Sequence, residues 1–381
     1  MSDTDTPSGG LFNGDEVHEL FDRMYKIFPS VAMAPAPEPY DFPDGEPLEL
    51  PDTLTYLDET KPIADFLVES DTAALLVLQN GAVRHEYYAL TGGRDVPWIS
   101  WSVAKSFVSA LLGIAVAEGL IGSVDDPVTQ YAPGLTGTAY DGVRIEDVLQ
   151  MSSGARWVED YSDPSSDIHR LGAVTTGEIT LDEFMTGMVR EFEPATLCRY
   201  NSADTQALGM VLIGATGRTI ADYMKEKLVD PLGMESTSYW LTDTAGVEWA
   251  YGGLNVTARD FAKIGELYRR GGDWNGTQLV PADWVRQSLT FDKPHLEPGK
   301  TMIGAEVLPT GYGYQWWLYP GEAADYSAIG IYNQHVYVDP PTGAVIVKLS
   351  ANRTYGMSHL ESDNKSGQTY ALFRAIAEAL A

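Results

Sequence analysis

The strongest constraint on the fold is that strand-like patterns occur only before residue 90 and after residue 310 of this 381-residue chain. An apolar run at 73–79 and a β-type run at 82–88 are separated by Asn80-Gly81, a strong short-range signal for a β-hairpin. Three further strand patterns come late, at 313–317, 335–339 and 345–349. The sequence therefore predicts one antiparallel sheet assembled from both ends of the chain.

Helical periodicity fills the interval between these strands, at 102–118, 145–151, 181–188, 202–215, 220–228 and 257–270. The C-terminal stretch 368–381 is also helical, with four apolar residues on one face: Leu372, Phe373, Ile376 and Leu380. These patterns predict an α+β fold, an α/β sandwich in which helices flank the sheet and a mostly helical domain is inserted. We expect the domains at 54–120 with 265–381 (α/β) and at 121–264 (helical), with the active site in the cleft between them.

Residues 1–53 are predicted to be an N-terminal segment and a proline-rich strap. Prolines recur between 29 and 51, and proline lacks an amide donor and restricts the residue before it, so we expect no regular structure there. Residues 17–28 fit one short amphipathic helix. Residues 1–7 lack a basic stretch followed by an apolar one, which predicts no secretory signal and a cytoplasmic protein.

The charge balance argues against two classes of partner. The chain has 25 Lys+Arg and 54 Asp+Glu, a net charge of −29, which repels nucleic-acid phosphates and anionic lipid. Solubility or adaptation to high salt would both explain this acidity. Cys198 is the only cysteine, so no intramolecular disulfide or cysteine pair for a metal can form, and we predict no metal and no organic cofactor.

A Ser-x-x-Lys pattern opens the most apolar helix. Ser102 and Lys105 begin a run rich in Leu, Ile, Val and Ala, whereas a second copy at Ser362 and Lys365 lies in a polar run and is interpreted as chance. Residues three apart share a helical face, so the Ser102 hydroxyl and the Lys105 amine can meet. The same residues would also fit a serine N-cap with a lysine reaching out from the first turn.

The chemistry of such a pair depends on an uncharged amine. A serine hydroxyl is a poor nucleophile until a base takes its proton, and lysine is a base only when neutral. Its ordinary pKa of about 10.4 leaves roughly one part in a thousand neutral at pH 7. Burial in an apolar helix and the positive helix N-terminus both disfavour the charged form.

Two further segments could complete a catalytic site. Tyr200 precedes a helical run and could act as a second base or proton relay, although an ordinary packing tyrosine is an alternative. Gly330 allows close backbone approach, so the amide of Ile331 could point at a bound carbonyl; an edge-strand bulge is the alternative. The chain has no Gly-x-Ser-x-Gly elbow, no His-Glu-x-x-His and no phosphate loop.

These three segments, in this order, resemble the serine β-lactamase and penicillin-binding-protein superfamily, in the class C-like branch that includes family VIII carboxylesterases and 6-aminohexanoate-dimer hydrolases. The resemblance extends from about residue 54 to residue 349. Secondary landmarks support it, including Gly119-Leu120-Ile121, Pro231-Leu232-Gly233-Met234, Gly252-Gly253-Leu254 and Thr257-Ala258-Arg259-Asp260.

The resemblance implies a role for each residue. Ser102 would be the acylated nucleophile and Lys105 its base partner, while Tyr200 would relay protons to the leaving group and activate water. The backbone amides of Ser102 and Ile331 would form the oxyanion hole. Tyr161 occupies the position of a tyrosine that contacts the substrate amide in the amide-hydrolysing relatives.

The chain departs from the family pattern at two places. The usual Tyr-x-Asn is Tyr200-Asn201-Ser202 here, which leaves open whether Asn201, Ser202 or neither binds the substrate amide. The usual third motif, Lys- or His-x-Gly, is Ala328-Ile329-Gly330, with Gly330 expected beside the substrate. Without that cation a substrate carboxylate is held less well, which argues against an efficient β-lactamase or cell-wall carboxypeptidase.

The sequence thus predicts a serine hydrolase that forms an acyl-enzyme on a small ester or linear amide, with no nucleic-acid or membrane partner and with a homodimer possible. Two alternatives stay open at this point. One is a β-lactamase or D-alanyl carboxypeptidase-like enzyme. The other is a noncatalytic ligand-binding module of the same fold.

Overall fold

A seven-stranded antiparallel sheet forms the centre of the computed structural model, which describes residues 17–381. The strands lie in the order Gly311–Tyr312, Trp317–Leu318, Tyr326–Gly330, Gln334–Asp339, Ala344–Ser350, Thr72–Gln79 and Ala82–Tyr88. The hairpin at Asn80-Gly81 and the predicted assembly of the sheet from both chain ends are confirmed.

Both faces of this sheet are buried, because side chains alternate along each strand. Leu76 and Leu78 point into the larger hydrophobic core, which contains helices Ala104–Ala117 and Ala258–Arg269. Leu75 and Val77 point into a second core, which includes the predicted apolar face of the C-terminal helix Ser366–Ala379. The sheet is therefore enclosed between helices on its two sides, and the predicted α+β sandwich is confirmed.

The predicted helices are present, most of them shorter than expected. After Trp101–Val103, a single 3₁₀ turn, the main helices are Ala104–Ala117, Ile145–Leu149, Leu181–Thr186, Ser202–Thr216, Ile220–Met224 and Ala258–Arg269. Shorter ones are Ile63–Glu69, Val128–Tyr131, Asp167–Arg170, Gly172–Thr175, Asp230–Leu232, Ala282–Ser288 and Glu361–Asn364. The domain boundaries at 120 and 264 stay a prediction. No helix in residues 17–381 is long and apolar enough to span a bilayer.

The N-terminal part of the described chain is more regular than predicted. Instead of one helix there are two short ones, His18–Phe21 and Met24–Ile27. The expectation of no regular structure between 29 and 51 is wrong for Ser30–Met33, which pairs with Ser238–Leu241. This strand fits between Pro29 and Pro35, so no proline interrupts its ladder. The predicted absence of a secretory signal concerns residues outside the described range.

Ser30–Met33 belongs to a second sheet that the sequence patterns did not reveal. Its four strands lie in the order Ser30–Met33, Ser238–Leu241, Leu254–Val256 and Trp98–Ile99. The remaining strands, each two to four residues long, form three separate hairpins. They are Thr53–Tyr56 with Glu59–Pro62, Asp273–Trp274 with Thr277–Gln278, and Met302–Ile303 with Glu306–Val307. Strand Trp98–Ile99 of this second sheet is separated by one residue from the turn Trp101–Val103, which carries Ser102.

The prediction of one strand at 313–317 is wrong, and the strand Tyr326–Gly330 was not predicted. Gln315 has a φ of +64°, a left-handed conformation that cannot continue a strand, so the chain forms two short strands on either side of it. The Gln315 side chain donates to the Leu149 carbonyl at 2.7 Å and holds this bend in place. Tyr326–Gly330 is a strand, so Gly330 lies at the end of a central strand rather than in a bulge.

Candidate active site

Ser102 lies in the short turn that precedes the buried helix Ala104–Ala117. Trp101 before it has a φ of +44°, a left-handed conformation that is rare for a bulky residue and typical of strained functional turns. The Ser102 side chain is nearly buried but lines a pocket. The turn therefore presents the hydroxyl at the start of a helix, where the helix dipole favours developing negative charge.

Lys105 lies in the first turn of that helix and contacts Ser102. Its Nζ is 2.8 Å from Ser102 Oγ, 2.8 Å from the Tyr251 carbonyl oxygen and 3.2 Å from Ser202 Oγ. The side chain is 1% exposed. Burial lowers the Lys105 pKa to about 8, and the Glu159 carboxylate opposes this shift. About a tenth of this amine is thus neutral at pH 7, far more than for an ordinary lysine, and a general base needs that form.

The aromatic ring of Tyr200 also lies close to the lysine. Its ring centroid is 5.1 Å from Lys105 Nζ, and the ring stacks on Trp317 at 5.0 Å. Burial holds the Tyr200 pKa well above its ordinary value, Glu159 adds to that shift, and a hydrogen bond with Ser102 opposes it. The phenol therefore keeps its proton at neutral pH and can donate it.

Gly330 brings the end of strand Tyr326–Gly330 against the Ser102 turn. A Cβ at this position would be 2.6 Å from the Ser100 carbonyl oxygen and 3.1 Å from the Ser102 amide nitrogen. Only glycine allows the two backbones to come so close. Ile331 follows directly and lines the same pocket as Ser102. The structure thus brings together the two residues whose amides were expected to form an oxyanion hole.

Glu159 is the residue of this site that the sequence reasoning missed. It is 2% exposed, and its Oε1 accepts hydrogen bonds from Ser202 Oγ at 2.9 Å and from the Tyr161 hydroxyl at 2.6 Å. Its Oε2 accepts from the Ser202 amide at 3.0 Å and from Trp157 Nε1 at 2.7 Å. The only local sequence signal is a carboxylate two residues before Tyr161 in an aromatic stretch, which does not reveal the contact with Ser202.

Asn201 and Ser202 have different surroundings. The Asn201 Oδ1 accepts from the Ala203 amide at 2.8 Å as an N-cap, and its Nδ2 donates to Asp204 at 2.9 Å. Ser202 instead contacts Lys105. Of the two residues that the sequence left open, Ser202 adjoins Lys105, and Asn201 caps the helix that begins at Ser202.

The pocket beside Ser102 is small and uncharged. Its cavity volume is about 40 Å³, and its walls include Met24 from the N-terminal helices and Trp249 and Tyr251 from the strand connection. The remaining wall residues are Trp101, Tyr161, Ile168, Leu171, Thr175, Ser202, Gly252 and Ile331. Within residues 17–381, none of the wall residues carries a charge.

Other motif residues lie outside this site. His335 is buried in a central strand, where burial and Lys348 lower its pKa to about 3. In the second Ser-x-x-Lys copy, the Lys365 amine donates to the Ser362 carbonyl rather than to its hydroxyl. Across the described residues, no group of three or more His, Cys, Asp or Glu side chains could hold a metal ion.

Comparison with known proteins identifies the chain's relatives. The Beta-lactamase family profile matches residues 65–369. The chain is 31% identical over 349 residues to a 6-aminohexanoate-dimer hydrolase of Paenarthrobacter ureafaciens, a match that covers 87% of this chain and 84% of the relative.

Solved structures share the same fold. A candidate 6-aminohexanoate-dimer hydrolase from Bacillus anthracis superposes with a TM-score of 0.85 at 23% identity, covering 96% of this chain and 95% of that one. EstCE1, a hydrolase with promiscuous acyltransferase activity, superposes with a TM-score of 0.61 at 16% identity, covering 83% of this chain and 96% of that one.

Proposed function

Since this chain belongs to the beta-lactamase family, we propose that it is a serine hydrolase that forms an acyl-enzyme on small esters or linear amides, with Ser102 as the nucleophile. The resemblance inferred from the three motifs is confirmed by these relatives, as is the prediction of a hydrolase of the amidase or esterase type. The roles assigned to individual residues belong to the same proposal.

One observation carries the proposal: the buried Lys105 Nζ lies 2.8 Å from Ser102 Oγ. A serine that only capped its helix would not need a buried amine beside it, and burial of that amine lowers its pKa to about 8. Nucleophile and base within hydrogen-bond reach, with the base held by further contacts, is the arrangement that activates a hydroxyl.

In the acylation step, Ser102 Oγ attacks the substrate carbonyl carbon while neutral Lys105 accepts the hydroxyl proton. The carbonyl oxygen becomes an oxyanion and accepts hydrogen bonds from the amides of Ser102 and Ile331. Collapse of this intermediate breaks the bond to the alcohol or amine, and Tyr200 delivers a proton to that leaving group. Tyr200 regains a proton from the Lys105 ammonium, so protons balance over the step.

In the deacylation step, water attacks the acyl carbon and gives a proton to neutral Lys105, either directly or by relay through the Tyr200 hydroxyl. The second tetrahedral intermediate uses the same two amides, and its collapse returns the proton to Ser102 Oγ and releases the acid. The raised pKa of Tyr200 supports its role as a proton carrier that is neutral between steps.

The uncharged pocket supports substrates whose reacting part is neutral. A β-lactam or a peptide C-terminus offers a carboxylate near the scissile bond, and position 328 of this chain is an alanine where the family pattern has a cation. The named activity of the relative from Paenarthrobacter ureafaciens supports a linear amide between small aliphatic units as one substrate class. Tyr161, which lines the pocket, would contact the amide nitrogen.

A fluorophosphonate probe tests the proposal, because it labels only an activated serine. We expect stoichiometric labelling at Ser102, located by peptide mass spectrometry, and loss of both labelling and p-nitrophenyl ester hydrolysis in Ser102→Ala. Ser362→Ala is the matched control and should keep both. An unlabelled parental protein would favour the noncatalytic binding module, and rapid nitrocefin hydrolysis would favour the β-lactamase alternative.

A further inference from the structure

Glu159 is buried against the catalytic pair, and no step of the mechanism above uses it. Its carboxylate accepts four hydrogen bonds, two from Ser202 and one each from Tyr161 and Trp157, and none comes from a basic side chain. Burying a carboxylate without a cation partner costs free energy of folding. A carboxylate kept here at that cost indicates a role in the site.

We propose that Glu159 is a positioning residue that fixes Ser202 and Tyr161 on the same side of the Lys105–Ser102 pair. The inference rests on the proposed function. Ser202 connects the two groups directly, because its Oγ donates to Glu159 Oε1 at 2.9 Å and lies 3.2 Å from Lys105 Nζ. Without that acceptor, Ser202 could rotate away from the lysine.

The same carboxylate also positions the pocket wall. Its Oε1 accepts hydrogen bonds from both the Tyr161 hydroxyl and Ser202 Oγ. The carboxylate therefore joins the loop that carries Tyr161 to the N-terminus of helix Ser202–Thr216. The Tyr161 hydroxyl donates its proton to Glu159, and its oxygen lone pairs can still accept a hydrogen bond from a substrate N–H. A side chain of this geometry would favour an amide over an ester, which has no such N–H.

The negative charge of Glu159 acts on its titratable neighbours. They are Lys105, Tyr161, Tyr200, Asp204, Tyr312 and Tyr355, and in each case Glu159 favours the protonated form. For Lys105 this opposes the effect of burial. Glu159 therefore raises the pH at which the lysine becomes a base, and its removal should lower that pH.

Glu159→Gln separates charge from shape. A glutamine oxygen can accept from the Ser202 amide and Trp157, while its amide nitrogen donates to the two hydroxyls, which are able to accept. All four contacts thus survive without the charge. Because Ser202 Oγ would accept from the glutamine amide, its own proton would point to the lysine nitrogen. Only a neutral amine can accept that hydrogen bond, so the substitution favours the neutral form of Lys105. Glu159→Asp is the complement, since it keeps the charge but is one methylene too short to reach all four donors.

The readout is the rate of fluorophosphonate labelling of Ser102 as a function of pH, which needs no knowledge of the natural substrate. For Glu159→Gln we expect the midpoint to move to lower pH by about one unit. For Glu159→Asp we expect the parental midpoint and a plateau rate lower by roughly tenfold, because the pair is less well oriented. Glu248→Gln removes another buried carboxylate, outside this site, and should leave the profile unchanged.

The outcomes are separable. A labelled parental protein with an unmoved midpoint in Glu159→Gln would overturn the role of Glu159 while leaving the proposed function intact. An unlabelled parental protein would overturn both. Circular dichroism checks that each variant is folded; where Glu159→Gln is unfolded, a parental plateau rate in folded Glu159→Asp is the result that overturns the inference.

Discussion

Gly330 approaches Ser100 so closely that a Cβ at position 330 would be 2.6 Å from the Ser100 carbonyl oxygen. Two backbones are in contact there: the end of a central strand and the turn that carries Ser102. The distance between the two candidate oxyanion-hole amides is therefore set by main-chain packing rather than by side-chain rotamers.

Gly330→Ala should separate these two segments while the protein stays folded. The added Cβ would also lie 3.1 Å from the Ser102 amide nitrogen, so one of the two amides must shift. We expect kcat for ester hydrolysis to fall roughly 10- to 100-fold, since displacement of a site by about 1 Å costs about that much. Gly134→Ala, at a position where a Cβ meets only one atom at 4.0 Å, is the control. Equal kcat values for both variants would contradict the prediction.

The activity should depend on pH through Lys105. The amine is a base only when neutral, and its pKa is lowered to about 8, so kcat/KM should rise with pH to a plateau with a midpoint near 8. Tyr200 does not ionise in this range because its pKa is raised. A profile on a p-nitrophenyl ester from about pH 6 to pH 10 measures this. Lys105→Arg stays charged throughout and should lose about 10²- to 10⁴-fold in kcat/KM; a flat parental profile would exclude Lys105 as the base.

Tyr161→Phe should separate amide from ester turnover. The variant keeps the ring in the pocket wall and removes the hydroxyl that is bonded to Glu159. We expect amide hydrolysis to fall by about 100-fold while ester hydrolysis changes little, because only an amide has the N–H that the hydroxyl would accept. Rates on matched p-nitrophenyl ester and ω-amino-acid oligoamide substrates test this.

The control for Tyr161→Phe is Tyr370→Phe, which removes a hydroxyl in the second core, on the opposite face of the sheet. It should leave the amide-to-ester ratio unchanged. Tyr200→Phe is expected to slow both reactions together, since proton delivery is common to both. Equal losses on amide and ester in Tyr161→Phe would remove its role at the leaving group.

Phe21→Ala should weaken both the fold and the site. Phe21 is 1% exposed, and its ring lies 5.5 Å from Trp101 and 5.0 Å from Tyr332, in edge-on geometry. Truncation leaves a cavity next to Trp101, the residue before Ser102, and we expect a loss of about 3–5 kcal/mol in the free energy of unfolding. Urea denaturation measures it, and Phe291→Ala at a more exposed position should cost about 1 kcal/mol or less.

Local patterns were enough to predict the parts of the fold that depend on neighbouring residues. The hairpin at Asn80-Gly81 needs a two-residue turn between two β-type runs, and the helix that begins at Ala104 needs a continuous apolar sequence. The contact between Ser102 and Lys105 follows from helical spacing alone. These features are encoded within a few residues.

The features that were missed depend on partners far away in sequence. Ser30–Met33 becomes a strand because Ser238–Leu241 pairs with it, and Glu159 joins the site because Ser202, 43 residues later, donates to it. The bend at Gln315 is held by the Leu149 carbonyl. No local window of sequence contains both partners of such a contact, so periodicity cannot reveal it.

The central position of strand Ala344–Ser350 has a consequence for synthesis of the protein. This strand lies between Thr72–Gln79 and Gln334–Asp339, so the middle of the sheet stays open until residue 350 has left the ribosome. Ile331 follows strand Tyr326–Gly330 of this sheet, so we expect it to lie beside Ser102 only once the sheet is complete. We therefore expect a nascent chain that ends before residue 350 to contain the serine and the lysine but to be inactive, and C-terminal truncation before residue 350 to abolish hydrolysis.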